Sequence, residues 1–228
     1  MKVVVKVGGH VFFSGVKAET ISSCAEVLAR IHDEGHHLVA VAGGGEEARR
    51  YIKTARELHA SQYTCDLLGI ETSRLNARLL MAALRDRAYP TLPRTIQQLQ
   101  VAFQSGRIVV IGGLYPGQST NAVAALAAEA LAADMLVNAT NVKGVYTSDP
   151  AKDPEAKKLD EIRTDELLNL IIGDKMGAGM YKIFDPIAIK IVERSKIATR
   201  IIDGRVFENI EKAVRGEAIG TFLRPAGE

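Results

Sequence analysis

Leu38-Val39-Ala40-Val41-Ala42-Gly43-Gly44-Gly45-Glu46-Glu47-Ala48 reads as an apolar strand that breaks into three glycines and then opens a helix. A turn of this kind leaves backbone N–H groups beside the positive end of a helix, a setting suited to phosphate. The same arrangement recurs upstream at Lys6-Val7-Gly8-Gly9-His10 and downstream at Gly112-Gly113-Leu114-Tyr115-Pro116-Gly117-Gln118-Ser119-Thr120. One such turn is a weak signal. Repeated through one chain, it implies a crevice that holds more than one phosphorylated ligand, which is what phosphoryl transfer requires.

Outward from these turns the chain keeps a rhythm. Short β-branched runs at Val3–Val7, Leu38–Val41, Ile108–Ile111, Leu136–Ala139 and Arg200–Ile202 alternate with amphipathic stretches at Ala18–His32, Thr64–Arg87 and Asn121–Ala132. Alternation of this type predicts an α/β fold, a three-layer α/β/α sandwich around a mainly parallel central sheet. Ligands then belong at the carboxyl ends of the strands, where Lys6 stands. Asn141 to Lys158, rich in Asp, Pro and Lys, breaks the rhythm and reads as loop with one hairpin, a candidate lobe over a ligand. Gly173 to Ile183, rich in Gly and Met, reads as a mobile loop. A helix follows it, with Asp185 as cap and Pro186 in its first turn. The long stretch from Thr64 carries an apolar stripe (Leu67, Leu68, Leu75, Leu79, Ala82, Ala83) suited either to the core or to a partner subunit.

Composition bounds the function. With 228 residues, 47% of them hydrophobic, the chain can bury one full core, and it is expected to form a single domain over 1–228. A net charge of +2 offers no basic surface for nucleic acid. Cys24 and Cys65 lack metal or redox spacing and read as buried apolar residues, in keeping with a reducing cytoplasm. The opening strand stops at Lys6, so neither a signal-peptide core nor a segment of membrane-spanning length is expected.

Two of the turns nearly match other fingerprints. Gly43-Gly44-Gly45-Glu46-Glu47-Ala48 satisfies the dinucleotide form G-x-G-x-x-A, with Asp66 near the offset of a ribose-binding acid, but it follows the second strand rather than the first. Gly112 to Ser119 has P-loop spacing, yet Gln118 stands where that loop needs lysine, so it suits a monophosphate held by hydrogen bonds. Lys6, and Arg49 one turn into the second helix, are the candidate cations; each also reads as a solvated surface charge. Asp185 reads from the residues as a plain helix cap.

In order along the chain, Lys6-Val-Gly-Gly9, Gly43-Gly-Gly45 with Ala48-Arg49, Asp66-Leu-Leu-Gly69, Arg74-Leu-Asn76 and Gly112 to Thr120 are followed by Ala122-Val-Ala-Ala125. Thr140-Asn-Val-Lys-Gly-Val-Tyr146 with Asp149-Pro150, and Asp185-Pro-Ile-Ala-Ile-Lys190, complete the series. This series resembles the amino acid kinase family, and within it the archaeal-type uridylate (UMP) kinases, over essentially the whole chain. The resemblance implies ATP bound by Lys6, Gly8, Gly9, His10, Gly45, Arg49, Thr140, Asn141, Tyr146 and Asp149. It implies UMP held by Gly44, Asp66, Leu114, Tyr115, Pro116, Gly117, Gln118, Ser119 and Thr120. Lys6 and Asp185 are the implied catalytic pair, Mg²⁺ arrives with ATP, and no metal is held by protein ligands alone. The acceptor side is expected mainly in 1–135 and the ATP side mainly in 136–228, in a cytoplasmic homohexamer built from dimers, with no nucleic acid or membrane partner. Departures are His10, where relatives carry Ser or Lys, and Lys143, where they carry Asp; Lys182 has no assigned role. The alternatives are a kinase of the same fold for isopentenyl phosphate, carbamate or a carboxylate, or a non-catalytic nucleotide-sensing or storage protein.

Overall fold

Side chains alternate along β1 (Lys2–Val7), and the alternation creates two cores. Val3, Val5 and Val7 enter one and Val4 the other, so the strand is buried on both faces. Such a strand belongs in the middle of a parallel sheet. β1 pairs in parallel with β2 (His37–Ala42) on one side and β4 (Met135–Thr140) on the other. With β3 (Val109–Ile111), β5 (Glu161–Arg163), β6 (Thr199–Asp203) and β7 (Thr221–Arg224), the sheet runs β3-β2-β1-β4-β6-β7-β5. Every neighbouring pair is parallel except β6 and β7. The computed structural model describes residues 1–12, 17–150, 153–172 and 183–226.

One face is covered by α1 (Ala18–Asp33), α3 (Gln62–Leu84) and α8 (Glu208–Val214), through Leu28, Leu80 and Ala213 among others. The other is covered by α4 (Ile96–Phe103), α5 (Thr120–Ala130), α6 (Thr164–Ile172) and α7 (Pro186–Ser195). The three-layer architecture follows. α2 (Gly45–Glu57) leads directly out of the second glycine turn and packs on α3.

Several elements were silent in the sequence. β5 is three residues with one buried side chain, too short to carry a two-residue period. β7 is four residues long, and α4, α6 and α8 run only eight, nine and seven. The segment after β4 holds the expected hairpin: Thr147 N–H donates to the Lys157 carbonyl at 3.0 Å, and Leu159 N–H to that of Val145 at 2.8 Å. The loop expected over 173–183 lies, with Lys182, outside the described residues except for Ile183.

α3 settles the ambiguity in its own stripe. Cys65, Ile70, Ala77, Leu80 and Leu84 face the core, whereas Leu67, Leu75 and Leu79 remain 38%, 61% and 42% exposed. Of the stripe, Ala83 packs on the core and Leu68 is half-buried, while Leu67, Leu75, Leu79 and Ala82 stand outward. Cys24 and Cys65 are buried free thiols, and burial pushes the Cys24 thiol up to about 12.

The topology brings residues 8–10, 43–45, 140–141 and 203–205 to one edge of the sheet, beyond the carboxyl ends of β1, β2, β4 and β6.

Candidate active site

Lys6 pairs in register with Val41 and Asn138, on the face that Val4 and Leu136 give to the α5 and α7 core. Parity alone thus sends its side chain beneath the N-termini of those helices. It is only 8% exposed. Burial pulls its pKa down to about 8, and the negative charge of Asp185 opposes the fall. A lysine held this way gains most when an anion enters beside it.

Around Lys6 the first two glycine turns touch. A Cβ on Gly9 would lie 2.3 Å from Gly45 Cα, and one on Gly45 would lie 2.7 Å from the Gly9 carbonyl oxygen, so only glycine permits the approach. Gly8 N–H donates to the Ala139 carbonyl at 2.9 Å and Gly43 N–H to that of Val7 at 3.0 Å, tying both turns to the strand ends. They form one wall of a crevice of about 880 Å³, also lined by Lys6, His10, Gly44, Arg49, Thr120, Thr140 and Asn141. Of the residues expected to hold ATP, Lys6, Gly8, Gly9, His10, Gly45, Arg49, Thr140 and Asn141 therefore line one crevice. Tyr146 and Asp149 lie instead in the hairpin region beyond β4.

The third glycine turn is held from α3. Gly117, at φ +78°, donates its N–H to Asp66 Oδ2 at 2.8 Å, while Gln62 Nε2 donates to Asp66 Oδ1 at 3.0 Å. Ser73 Oγ accepts from Gly113 N–H at 2.7 Å, and Arg74 Nε donates to the Gly113 carbonyl at 3.1 Å. Leu114 is buried in the core, whereas Tyr115, Pro116, Gly117 and Ser119 are exposed and Gln118 and Thr120 partly so. A dinucleotide site is not formed, because Asp66 sits within α3 and serves the third glycine turn rather than the second. Ser119 Oγ donates to Asp185 Oδ2, and the other Asp185 oxygen accepts from Ile187 and Ala188 N–H at 3.0 and 3.1 Å. Asp185 is thus a helix cap whose negative charge also acts on Lys6. Its position is further fixed from below, where Asn138 and Asn121 donate to the Ile183 carbonyl at 2.7 and 3.3 Å.

Sequence reading missed Asp203-Gly204-Arg205, which ends β6 at the same edge. Arg205 forks onto Asp203 through Nε and Nη2 at 2.8 and 2.6 Å and lines the crevice with Phe207 and Glu208, facing Glu19, Thr20 and Ser23 of α1. The guanidinium holds the Asp203 carboxyl below its ordinary value. A glycine following a β-branched run was the available signal. His10 approaches this pair; burial lowers its pKa, and its Nε2 is buried without a partner among the described residues.

Comparison with known proteins identifies the family. The amino acid kinase family model matches residues 1–203. A protein of Hyperthermus butylicus named "Uridylate kinase" is 48% identical over 221 residues, 97% of each chain. One of the same name from Methanothermobacter thermautotrophicus is 44% identical over 99% of this chain and 100% of its own. The crystal structure of uridylate kinase from Archaeoglobus fulgidus superposes with a TM-score of 0.88 at 42% identity, covering 98% of this chain and 100% of that one. With a buried lysine between contacting glycine turns at the carboxyl edge of the sheet, and with this match over most of its length, the chain belongs to the amino acid kinase family.

Proposed function

We propose that this protein is a uridylate kinase, transferring the γ-phosphoryl group of ATP to UMP to give UDP and ADP by direct in-line displacement. One observation carries the reading: Lys6 and Thr120, the end of the 114–120 loop, line the crevice walled by the two contacting glycine turns, and Ser119 of that loop is bonded to Asp185. That crevice suits two phosphates placed end to end. Relatives of the same name align along nearly the whole chain.

The work asked of the protein is alignment and charge cancellation, since phosphoryl transfer needs little covalent chemistry. ATP is assigned to Lys6, Gly8, Gly9, His10, Gly45 and Arg49, with Thr140, Asn141, Tyr146 and Asp149 on the base and ribose side. UMP is assigned to Gly44, Asp66 and the loop from Leu114 to Thr120, whose helix N-terminus and hydroxyls receive the monophosphate. Lys6, protonated, neutralises the migrating group; Asp185 keeps the ammonium charged and aimed. The division follows the chain, with the acceptor side mainly in 1–135 and the ATP side mainly in 136–228.

The donor set suits Mg²⁺ that travels with ATP. Among the described residues there is no cluster of three His, Cys, Asp or Glu side chains, and Mg²⁺ on nucleotide phosphates keeps most of its waters. Asp185, whose charge acts on Lys6, is a carboxylate that such a hydrated ion would meet. When bound, Mg²⁺ supplies charge neutralisation at the β and γ phosphates.

No helix among the described residues is long and apolar enough to cross a membrane, in keeping with an enzyme of the cytoplasm. The exposed stripe of α3 favours assembly through that helix, within a homohexamer of dimers.

The test is ADP release with ATP and Mg²⁺ against UMP, CMP, dUMP, AMP, isopentenyl phosphate, carbamate and glutamate. Turnover confined to UMP is expected. Turnover on another acceptor would overturn the substrate, and ATP binding without any turnover would favour a sensing or storage role.

A further inference from the structure

Two peptides of the second glycine turn are tethered by a side chain that no assigned role includes. Asn76 lies on α3, 5% exposed, and its Nδ2 donates to the Gly43 carbonyl at 2.8 Å and the Gly44 carbonyl at 3.2 Å. In a trans peptide the C=O of one residue and the N–H of the next share a plane and point in opposite directions. Drawing the Gly43 carbonyl toward α3 therefore turns the Gly44 N–H away from it. Drawing in the Gly44 carbonyl does the same for the Gly45 N–H. Both glycines line the crevice that holds Lys6. Among the described residues neither N–H donates to a protein acceptor.

The Gly44 carbonyl also accepts from Ala48 N–H of α2 at 3.4 Å, whereas the Gly43 carbonyl has Asn76 as its partner and no other among the described residues. The turn is all glycine, so each peptide has an unusually wide choice of rotation. The cap position of α2 is Gly44, which brings no side-chain hydrogen bond. The backbone of α3 lies close beneath: a Cβ on Gly44 would stand 3.4 Å from the Gly69 carbonyl oxygen and 3.9 Å from Ser73 N. Three further α3 residues hold the acceptor loop, Asp66 at Gly117 N–H, Ser73 at Gly113 N–H, and Arg74 at the Gly113 carbonyl. One helix thus registers the second glycine turn against the third.

We infer that Asn76 is a positioning residue for phosphoryl transfer: it holds the Gly43 and Gly44 peptides so that the Gly44 and Gly45 N–H groups form a preorganised donor pair for the transferring phosphoryl oxygens. Donors fixed in advance at the point where charge develops act mainly on the transition state. The inference rests on the phosphoryl-transfer reading of this crevice but not on the identity of the acceptor.

The test uses the full-length enzyme and first establishes the acceptor of the wild type by the panel above. Asn76→Asp keeps the shape but faces two carbonyls with an acceptor; Asn76→Ala removes the tether without adding charge. Each is expected to lower kcat about a hundredfold while KM for ATP and acceptor moves little. Affinity for a bisubstrate inhibitor, adenosine and uridine joined by a pentaphosphate, should fall in parallel. In the wild type, the amide proton resonances of Gly44 and Gly45 should move downfield when that inhibitor binds. A folded variant that keeps wild-type kcat, or glycine amides that stay unmoved in the wild-type complex, would overturn the inference; the second readout holds even where neither variant folds. If the wild type uses an acceptor other than UMP, the substrate assignment fails while the kcat test of Asn76 is read on that acceptor.

Discussion

Ser119 and Asp185 each cap a helix, and they are hydrogen-bonded to one another. Ser119 Oγ accepts from Asn121 and Ala122 N–H at 3.0 and 3.1 Å at the start of α5, and Asp185 Oδ1 accepts the equivalent pair at the start of α7. Two helix N-termini are thereby locked together beside Lys6. One Asp185 oxygen caps α7 while the carboxylate charge acts on the lysine.

The roles separate by substitution. Asp185→Asn retains a good cap but loses the charge, so the thermal midpoint should stay near wild type while kcat falls. Asp185→Ala should lose a further ~1 kcal/mol of stability with the cap. Calorimetry and steady-state kinetics on the two variants check this; equal melting points for both would remove the cap from the account.

Lys6 sets a pH dependence. With its pKa lowered to about 8, the protonated form needed to neutralise phosphate is lost as pH rises through that value. kcat/KM, which reports the free enzyme, should fall above about pH 8, and kcat only at higher pH, because bound phosphates favour the ammonium. A flat kcat/KM profile to pH 10 would contradict the role.

The same lysine costs stability. Between pH 8 and 10.5 the unfolded chain holds a proton that the folded chain has released, so this group makes stability rise with pH across that window, by about 3 kcal/mol at 1.36 kcal/mol per unit. Lys6→Met should therefore raise the denaturation midpoint at pH 7 while abolishing turnover. Denaturant titration at pH 7 measures it.

Asp66 holds the Gly117 amide with a charged acceptor, a bond of about 1.5–3 kcal/mol when shielded and less at this partly exposed site. Asp66→Ala should raise KM for UMP about tenfold and leave KM for ATP within error. Matched changes in both constants would place Asp66 outside the acceptor site.

Gly9→Ala drives a Cβ to 2.3 Å from Gly45 Cα and 2.5 Å from Gly45 N, both backbone atoms with little room to retreat. Activity should be lost, with about 1–3 kcal/mol of stability. Gly35→Ala meets no atom within 4 Å, and is the comparison: its only penalty is the positive φ of +91°, so activity should survive.

Local order determined a great deal in this chain. A residue's side of a strand follows from parity, so Lys6 had to share a face with Val4, and the glycine turns had to follow apolar strands into helices. The Asp185-Pro186 cap was equally local. The ordered run of motifs carried the family resemblance. Long-range packing alone sets what lies opposite each turn. Asp66, Ser73, Arg74 and Asn76 reach carbonyls and amides 32 to 51 residues away, separations that no periodicity encodes. The outward face of α3 was undecidable from its pattern, because its leucines fall on both sides of one long helix and only packing selects the side. β5 and β7 exist because neighbouring strands supply their hydrogen bonds; at three and four residues, neither carries enough sequence of its own to predict it.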